Sequence, residues 1–255
     1  MPRKLSDWAG NMVAFAITIL LNVLSNALPI NGQSMPEISA RYASLFTPAG
    51  FTFSIWGVIY LALLAFVIWQ ALPAQRTSRK VAGISPWFKV NCLANALWLV
   101  VWHYDLLVLS MLLMLVILVT LVRIYALLIT DIETAPFAEH LVLYLPFSLY
   151  TGWVVVATIA NASILQTAWG FDDAGMAAVD WTLVKLAVAG AIGATMLLRF
   201  RDIPFALVVA WAAFGISVMQ SGTPAVSGAA TMLSATEWAS TGAISHPSSP
   251  RSQAS

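Results

Sequence analysis

The sequence predicts an all-α fold, a polytopic bundle of about seven transmembrane helices. Three observations predict it. Of 255 residues, 60% are hydrophobic and only 9% are charged, against roughly 25% charged in a soluble domain. The mean hydropathy is +0.84. Long stretches carry no charge at all: between Asp7 and Glu37, Arg41 and Arg76, Glu139 and Asp172, and Asp202 and Glu237. A transmembrane β-strand alternates apolar and polar residues, whereas these runs are apolar on every face. A water-soluble enzyme and a disordered chain are excluded. A net charge of +1 offers no basic patch for phosphates, so nucleic acid is not a partner. The lipid bilayer is.

A membrane-crossing helix needs about 20 apolar residues. The charge-free runs place helices over residues 11–30, 51–72, 88–103, 106–129, 141–164, 182–199 and 203–220. His103-Tyr104-Asp105 is too polar for lipid and splits 88–129 into a tight hairpin. Arg3 and Lys4 before the first run resemble the start of a signal peptide. The run is longer than the usual h-region and lacks a small-x-small exit, which favours an uncleaved helix. Residues 221–255 are rich in Ser, Ala, Thr, Gly and Pro and read as a disordered tail, with an imperfect eighth helix over 222–244 as the alternative.

Lys and Arg set orientation. Seven helices put Arg3, Lys4, Arg76, Arg79, Lys80, Lys89, Arg123, Arg199 and Arg201 on one side. Arg41, Lys185 and Arg251 fall on the other, with Asp172, Asp173 and Asp180. The expectation is a multi-pass protein of the plasma (inner) membrane with a cytoplasmic N-terminus.

Trp at an interface needs no function, and Trp8, Trp69, Trp87, Trp102, Trp169 and Trp181 lie near predicted helix ends. Trp98, Trp153 and Trp211 lie deeper, and Trp56 sits more than one turn into the second helix. A deep indole must pair its N–H or pack between helices. Several together point to an aromatic-lined pocket for flat apolar ligands. Asn22 and Asn26, and Asn91 and Asn95, each share a helix face by their i,i+4 spacing. Asn161 lies near the outer end of the fifth helix. Asn side chains hydrogen-bond across membrane helices for about 0.6–2 kcal/mol, so glue is their first role.

Some chemistry is missing. No carboxylate stands in the middle of any predicted span, and Lys185 lies about one turn into the sixth. An ion-coupled pump shows buried ionisable groups within the membrane. His103, His140 and His246 are scattered, and one cysteine, Cys92, builds no metal site. A retinal protein needs a Schiff-base lysine deep in its last helix, and the seventh contains none.

Three segments together resemble the translocator protein family, also called tryptophan-rich sensory proteins or peripheral-type benzodiazepine receptors. Thr47-Pro48-Ala49-Gly50-Phe51-Thr52-Phe53-Ser54-Ile55-Trp56-Gly57-Val58-Ile59-Tyr60 is similar to the family's entry to its second helix. Asn95-Ala96-Leu97-Trp98 resembles its Asn-x-x-Trp in the third, and Trp153 through Asn161 its Trp-x-x-x-Ala-Thr-x-x-Asn in the fifth. Arg123-Ile124-Tyr125 looks like the end of the fourth. Only Pro48 stands where the family has two prolines, and Pro146-Phe147 lies three residues upstream of the usual place, so Tyr150 is an alternative occupant of the Trp position.

The resemblance implies a five-helix core over 1–165, an additional hairpin over 166–220 and a tail. It implies a pocket built from Trp56, Tyr60, Asn95, Trp98, Pro146, Trp153 and Asn161. The implied ligands are porphyrins, sterols or similar flat molecules; no resident cofactor is expected, and porphyrin or haem enters only as ligand. A ligand-binding sensor or regulator is the leading reading. A carrier and a porphyrin-degrading photo-oxidative enzyme are the alternatives, and a homodimer is left open. By depth along their helices, Trp56 and Trp153 are offset by about 8 Å, a gap that a porphyrin-sized ring could bridge.

Overall fold

The structure is a computed structural model that describes residues 3–28, 30–33, 37–38, 41–42, 44–171 and 175–245. The side chain of Asn26, and all of Asp172, Asp173, His246 and Arg251, lie outside the described residues. Eight long helices are present among those described. They are α1 (Leu5–Ala27), α2 (Ile55–Ala71), α3 (Arg79–His103), α4 (Leu107–Leu128), α5 (Leu145–Ala168), α6 (Ala178–Phe200), α7 (Ile203–Met219) and α8 (Pro224–Ser245). Six, with their lead-in turns, are long and apolar enough to cross a membrane. The shorter α7, of 17 residues, is apolar as well. The chain is thus an integral multi-pass membrane protein.

Several helices begin earlier than the hydropathy predicts, α1 at Leu5 and α6 at Ala178 among them. The third starts at Arg79 because Ser78 caps it, its hydroxyl accepting the Val81 N–H at 3.3 Å. Lys89, which hydropathy assigns to the membrane boundary, lies within that helix and donates to the Ser6 carbonyl at 3.2 Å. The fifth is extended backwards by a turn at Phe137–Glu139 and a wide turn at His140–Tyr144. Between α3 and α4, Asp105 takes a left-handed conformation (φ 60°), which closes the tight hairpin at the predicted His103-Tyr104-Asp105.

Helices α1 to α5 form a closed ring: α2 packs on α1, α1 on α3, α3 on α4, α4 on α5 and α5 back on α2. At its centre Phe66, Phe88 and Phe147 meet edge to face, with centroids 5.0–6.0 Å apart. Interhelical amides act as expected. Asn91 donates to the Thr120 hydroxyl at 2.9 Å and Asn161 to the Ser110 hydroxyl at 2.9 Å.

Helix α7 lies on the outside of α5, with α6 and α8 packed beyond it. Its buried face is mostly small and apolar: Ala206, Ala210, Ala212, Ala213, Gly215 and Ser217 lie on it with Phe205, Val208, Val209 and Ile216. Close approach depends on glycine. A Cβ on Gly152 would crowd the Phe205 carbonyl and Val208 at 3.2 Å, and one on Gly215 would overlap the Thr52 side chain. The Gly215 carbonyl instead accepts the Ala49 N–H at 3.0 Å, and Trp211 Nε1 donates to the Thr52 carbonyl at 3.0 Å. Trp211 therefore braces the entry to α2.

The tail expected over 221–255 is corrected for its first part: Pro224–Ser245 is helical. Its composition is weakly apolar because the helix rests on small-residue neighbours. Val226 and Ala230 are fully buried, and Leu233 reaches Gly190 of α6. The remainder, 246–255, lies outside the described residues. This helix also carries a carboxylate, Glu237, buried against Gly193 of α6, where the sequence reading placed none.

The cations segregate. The Arg3 N–H bonds to the Arg76 carbonyl, Lys80 pairs with Glu139 at 2.8 Å, the Arg123 guanidinium lies over Trp87, and Tyr125 reaches Asp202 beside Arg201. These contacts set Arg3, Arg76, Lys80, Arg123 and Arg201 at one end of the bundle, with Lys4, Arg79 and Arg199 beside them in the chain and Lys89 bonded to Ser6, nine Lys and Arg in all. Arg41 and Lys185 lie at the other, paired with Asp105 at 3.0 Å and Gln166 at 2.7 Å.

Candidate ligand-binding site

Ring packing builds the site around Trp56. At the start of α2, as its second residue, Trp56 stacks on Tyr60 (centroids 5.2 Å apart) and meets Tyr150 and Trp153 of α5 edge to face at 5.7 and 6.3 Å. Phe53 closes on Trp153 at 5.9 Å. On α3, Trp98 and Trp102 stack at 5.7 Å.

A chain of hydrogen bonds runs behind the rings. The Tyr60 hydroxyl donates to Asn22 Oδ1 at 2.7 Å, Asn22 Nδ2 to Asn95 Oδ1 at 3.2 Å, and Asn95 Nδ2 to the Tyr150 oxygen at 2.9 Å. It ties α2, α1, α3 and α5 into one polar seam. In a low-dielectric interior such a chain fixes rotamers, because each broken link strands a buried polar group.

Two cavities share Phe53, Trp56 and Trp98 as a wall. The outer one, of about 1370 Å³, lies between α1 and α2 and is lined by Phe15, Asn22, Trp56, Tyr60, Leu64 and their neighbours. Its flanking Leu20, Val23, Leu61 and Ile68 are exposed, so it opens sideways toward the bilayer. The inner one, of about 60 Å³, is lined by Trp98, Trp102, Met114, Trp153, Asn161 and Pro48 among others. Around it the Nε1 atoms of Trp98, Trp102 and Trp153 and the Oδ1 of Asn161 are buried with no hydrogen-bond partner among the described residues. Three donors and an acceptor without partners around one chamber are costly in an apolar protein, and the chamber is large enough for about two waters' share of liquid volume.

The segment between α1 and α2 covers this end. Ile38 and Phe46 are fully buried, and Thr47 and Pro48 reach the inner chamber. Arg41 and Tyr42 hold the segment to Asp105, the latter at 2.7 Å. Burial, and then that hydrogen bond, raises the Tyr42 phenol above its ordinary pKa.

Of the predicted site residues, Trp56, Trp98, Trp153 and Asn161 line the inner chamber, and Tyr60 lines the outer one with Trp56 and Trp98. Asn95 acts one step back, through Asn22 and Tyr150. Pro146 lies on the first turn of α5 and lines neither cavity. Trp56 and Trp153 do not flank a gap: their rings are in contact, and a macrocycle has no room between them. Trp102, predicted as an interfacial anchor, is 4% exposed and faces the chamber. Its i,i+4 spacing from Trp98 was the available signal. Phe53, Asn22 and Tyr150 also belong to the site.

A model of the TSPO-like protein family matches residues 7–242. The chain belongs to the TSPO-like protein family. No curated protein and no solved structure matches. The TSPO-like match runs through α6, α7 and most of α8, so residue 165 is not a boundary of the matched region. As a TSPO-like protein the chain is of the membrane ligand-binding or transport kind.

Proposed function

We propose that the protein is a membrane sensor or regulator that binds a flat aromatic ligand of the tetrapyrrole class in the two-chamber site. The observation that carries this reading is the shared aromatic wall. A half-buried Trp56 borders a wide apolar chamber on one side and, on the other, a small chamber whose indole donors have no partner among the described residues. A macrocycle stacks on Trp56 in the outer chamber. An oxygen-bearing side group, a carboxylate or carbonyl, enters the inner one and accepts from the indoles of Trp98, Trp102 and Trp153. Entry is from the bilayer between α1 and α2, which suits a ligand that partitions into lipid.

The nine cations gathered at the Arg3–Arg201 end support a cytoplasmic placement of that end and of the N-terminus. The ligand site then lies in the opposite, outer half of the bundle.

Titration of the purified protein with protoporphyrin, read by quenching of Trp fluorescence, tests the reading. Trp56→Phe keeps an aromatic ring but loses stacking area and is expected to weaken binding by about three- to tenfold. Wild-type affinity in Trp56→Phe overturns the assignment.

A further inference from the structure

A third cavity, of about 780 Å³, lies at the opposite, cation-rich end, bounded by the end of α4, the start of α5 and the α6–α7 corner. Its floor is polar and fixed. Asp202 caps α7, accepting the Phe205 N–H at 3.1 Å, and its carboxylate also accepts the Ser148 hydroxyl and the Tyr125 hydroxyl. Both carboxylate oxygens are therefore already engaged by donors of the chain. The rim is cationic: Arg199 and Arg201 line the cavity. Both are exposed, and neither guanidinium makes an ion pair or hydrogen bond among the described residues. Arg201 holds a left-handed backbone (φ 52°) that turns the chain from α6 into α7. Beside the rim the surface is apolar: Leu198 is 73% exposed, and Leu141 and Phe200 are exposed as well.

We propose that this cavity binds the phosphate headgroup of an acidic glycerophospholipid. Two guanidinium forks that make no ion pair among the described residues match phosphate oxygens, which they can grip in bidentate fashion. The acyl chains run along Leu198, Leu141 and Phe200 into the bilayer. A free phosphate shares the headgroup chemistry but makes no use of that flank. Basic pockets between membrane helices are the usual seats of anionic headgroups. The proposal is independent of the aromatic site.

The test is native mass spectrometry of the full chain in detergent, titrated with phosphatidylglycerol and, separately, phosphatidylcholine. Wild type is expected to prefer phosphatidylglycerol by about 30-fold, the contribution of two guanidinium groups. Arg199→Gln/Arg201→Asn removes both charges and keeps a residue that tolerates φ > 0; it is expected to lose that preference. The single Arg199→Gln, on ordinary helical backbone, is expected to lose about fivefold and stands in should the double variant not fold. A control, Arg76→Gln/Lys89→Gln, discharges the same end outside the cavity and is expected to keep the preference. Equal loss in the control, or full preference in the arginine variants, overturns the site. Displacement of the lipid by inorganic phosphate alone overturns the lipid as its source.

Discussion

The indoles of Trp56 and Trp153 meet edge to face with centroids 6.3 Å apart, and of these two Trp56 alone borders both chambers. The two residues therefore have different jobs. Trp56 offers a face to the outer chamber, whereas Trp153 braces it from behind and lines the inner chamber, its buried N–H without a partner among the described residues.

The first prediction separates them. Trp56→Phe is expected to weaken every flat porphyrin. Trp153→Phe is expected to weaken carboxylate-bearing protoporphyrin by about tenfold, the worth of one hydrogen bond to a charged group, and to leave an alkyl porphyrin without carboxylates unchanged. Parallel titrations of the two porphyrins check this. An equal loss for both ligands in Trp153→Phe contradicts the inner-chamber role.

A second prediction concerns the polar seam. Asn95 bridges Asn22 and Tyr150, so Asn95→Ala strands a donor and an acceptor at once. The expected cost is about 1–3 kcal/mol. Tyr60→Phe removes one terminal hydroxyl and should cost about 1 kcal/mol. Reversible unfolding in mixed micelles measures both. A Tyr60→Phe, Tyr150→Phe cycle should show coupling, since both ends act through the same two amides. Strict additivity would mean that the seam is two separate bonds.

How much of this was legible in sequence follows from what each residue's signal reports. Charge-free runs located seven helices, because length and hydropathy are local properties. They failed at α8, whose Ser, Thr, Gly and Ala become apolar surface only against Gly190, Gly193 and α7. Glu237 escaped for the same reason, since its environment is set by another helix. The site residues on α2, α3 and α5 were readable as deep Trp and Asn at helical spacing. Their arrangement was not: depth along a helix ignores rotation about its axis, so an 8 Å offset became ring contact. Trp102 was misjudged because a helix end and a membrane interface were equated, while the covering segment with Phe46 and Pro48 buries that end.

Topology yields a third prediction. Arg79 opens α3 at the cation-rich end, and the sole cysteine, Cys92, is buried at 4% exposure. An Arg79→Cys variant thus adds one accessible thiol with little background. A membrane-impermeant maleimide is expected to label it in inverted vesicles and not in intact cells. Labelling of intact cells would reverse the orientation and move the aromatic site to the inner half.

The last prediction concerns Glu237. It lies 13 residues past the start of α8 at Pro224, roughly 20 Å along the helix, well inside the helical layer. The residue is 3% exposed and its Oε2 has no partner among the described residues. Within a membrane a charged side chain costs about 2.5–3.5 kcal/mol on insertion scales, and no cation or donor on α6 offsets that here. Glu237→Gln keeps the shape and removes the charge, so it is expected to be neutral or stabilising, by up to about 3 kcal/mol. Gly193 supplies the space: a Cβ there would stand 2.7 Å from Glu237 Oε1. Gly193→Ala should therefore destabilise wild type and be relieved in a Glu237→Ala background, where the new methyl occupies the vacated volume. Thermal unfolding of the four variants forms a closed cycle. A loss of more than about 2 kcal/mol in Glu237→Gln would show instead that the carboxylate has a required partner, and Glu237 would then be a functional group rather than a packing compromise between α6 and α8.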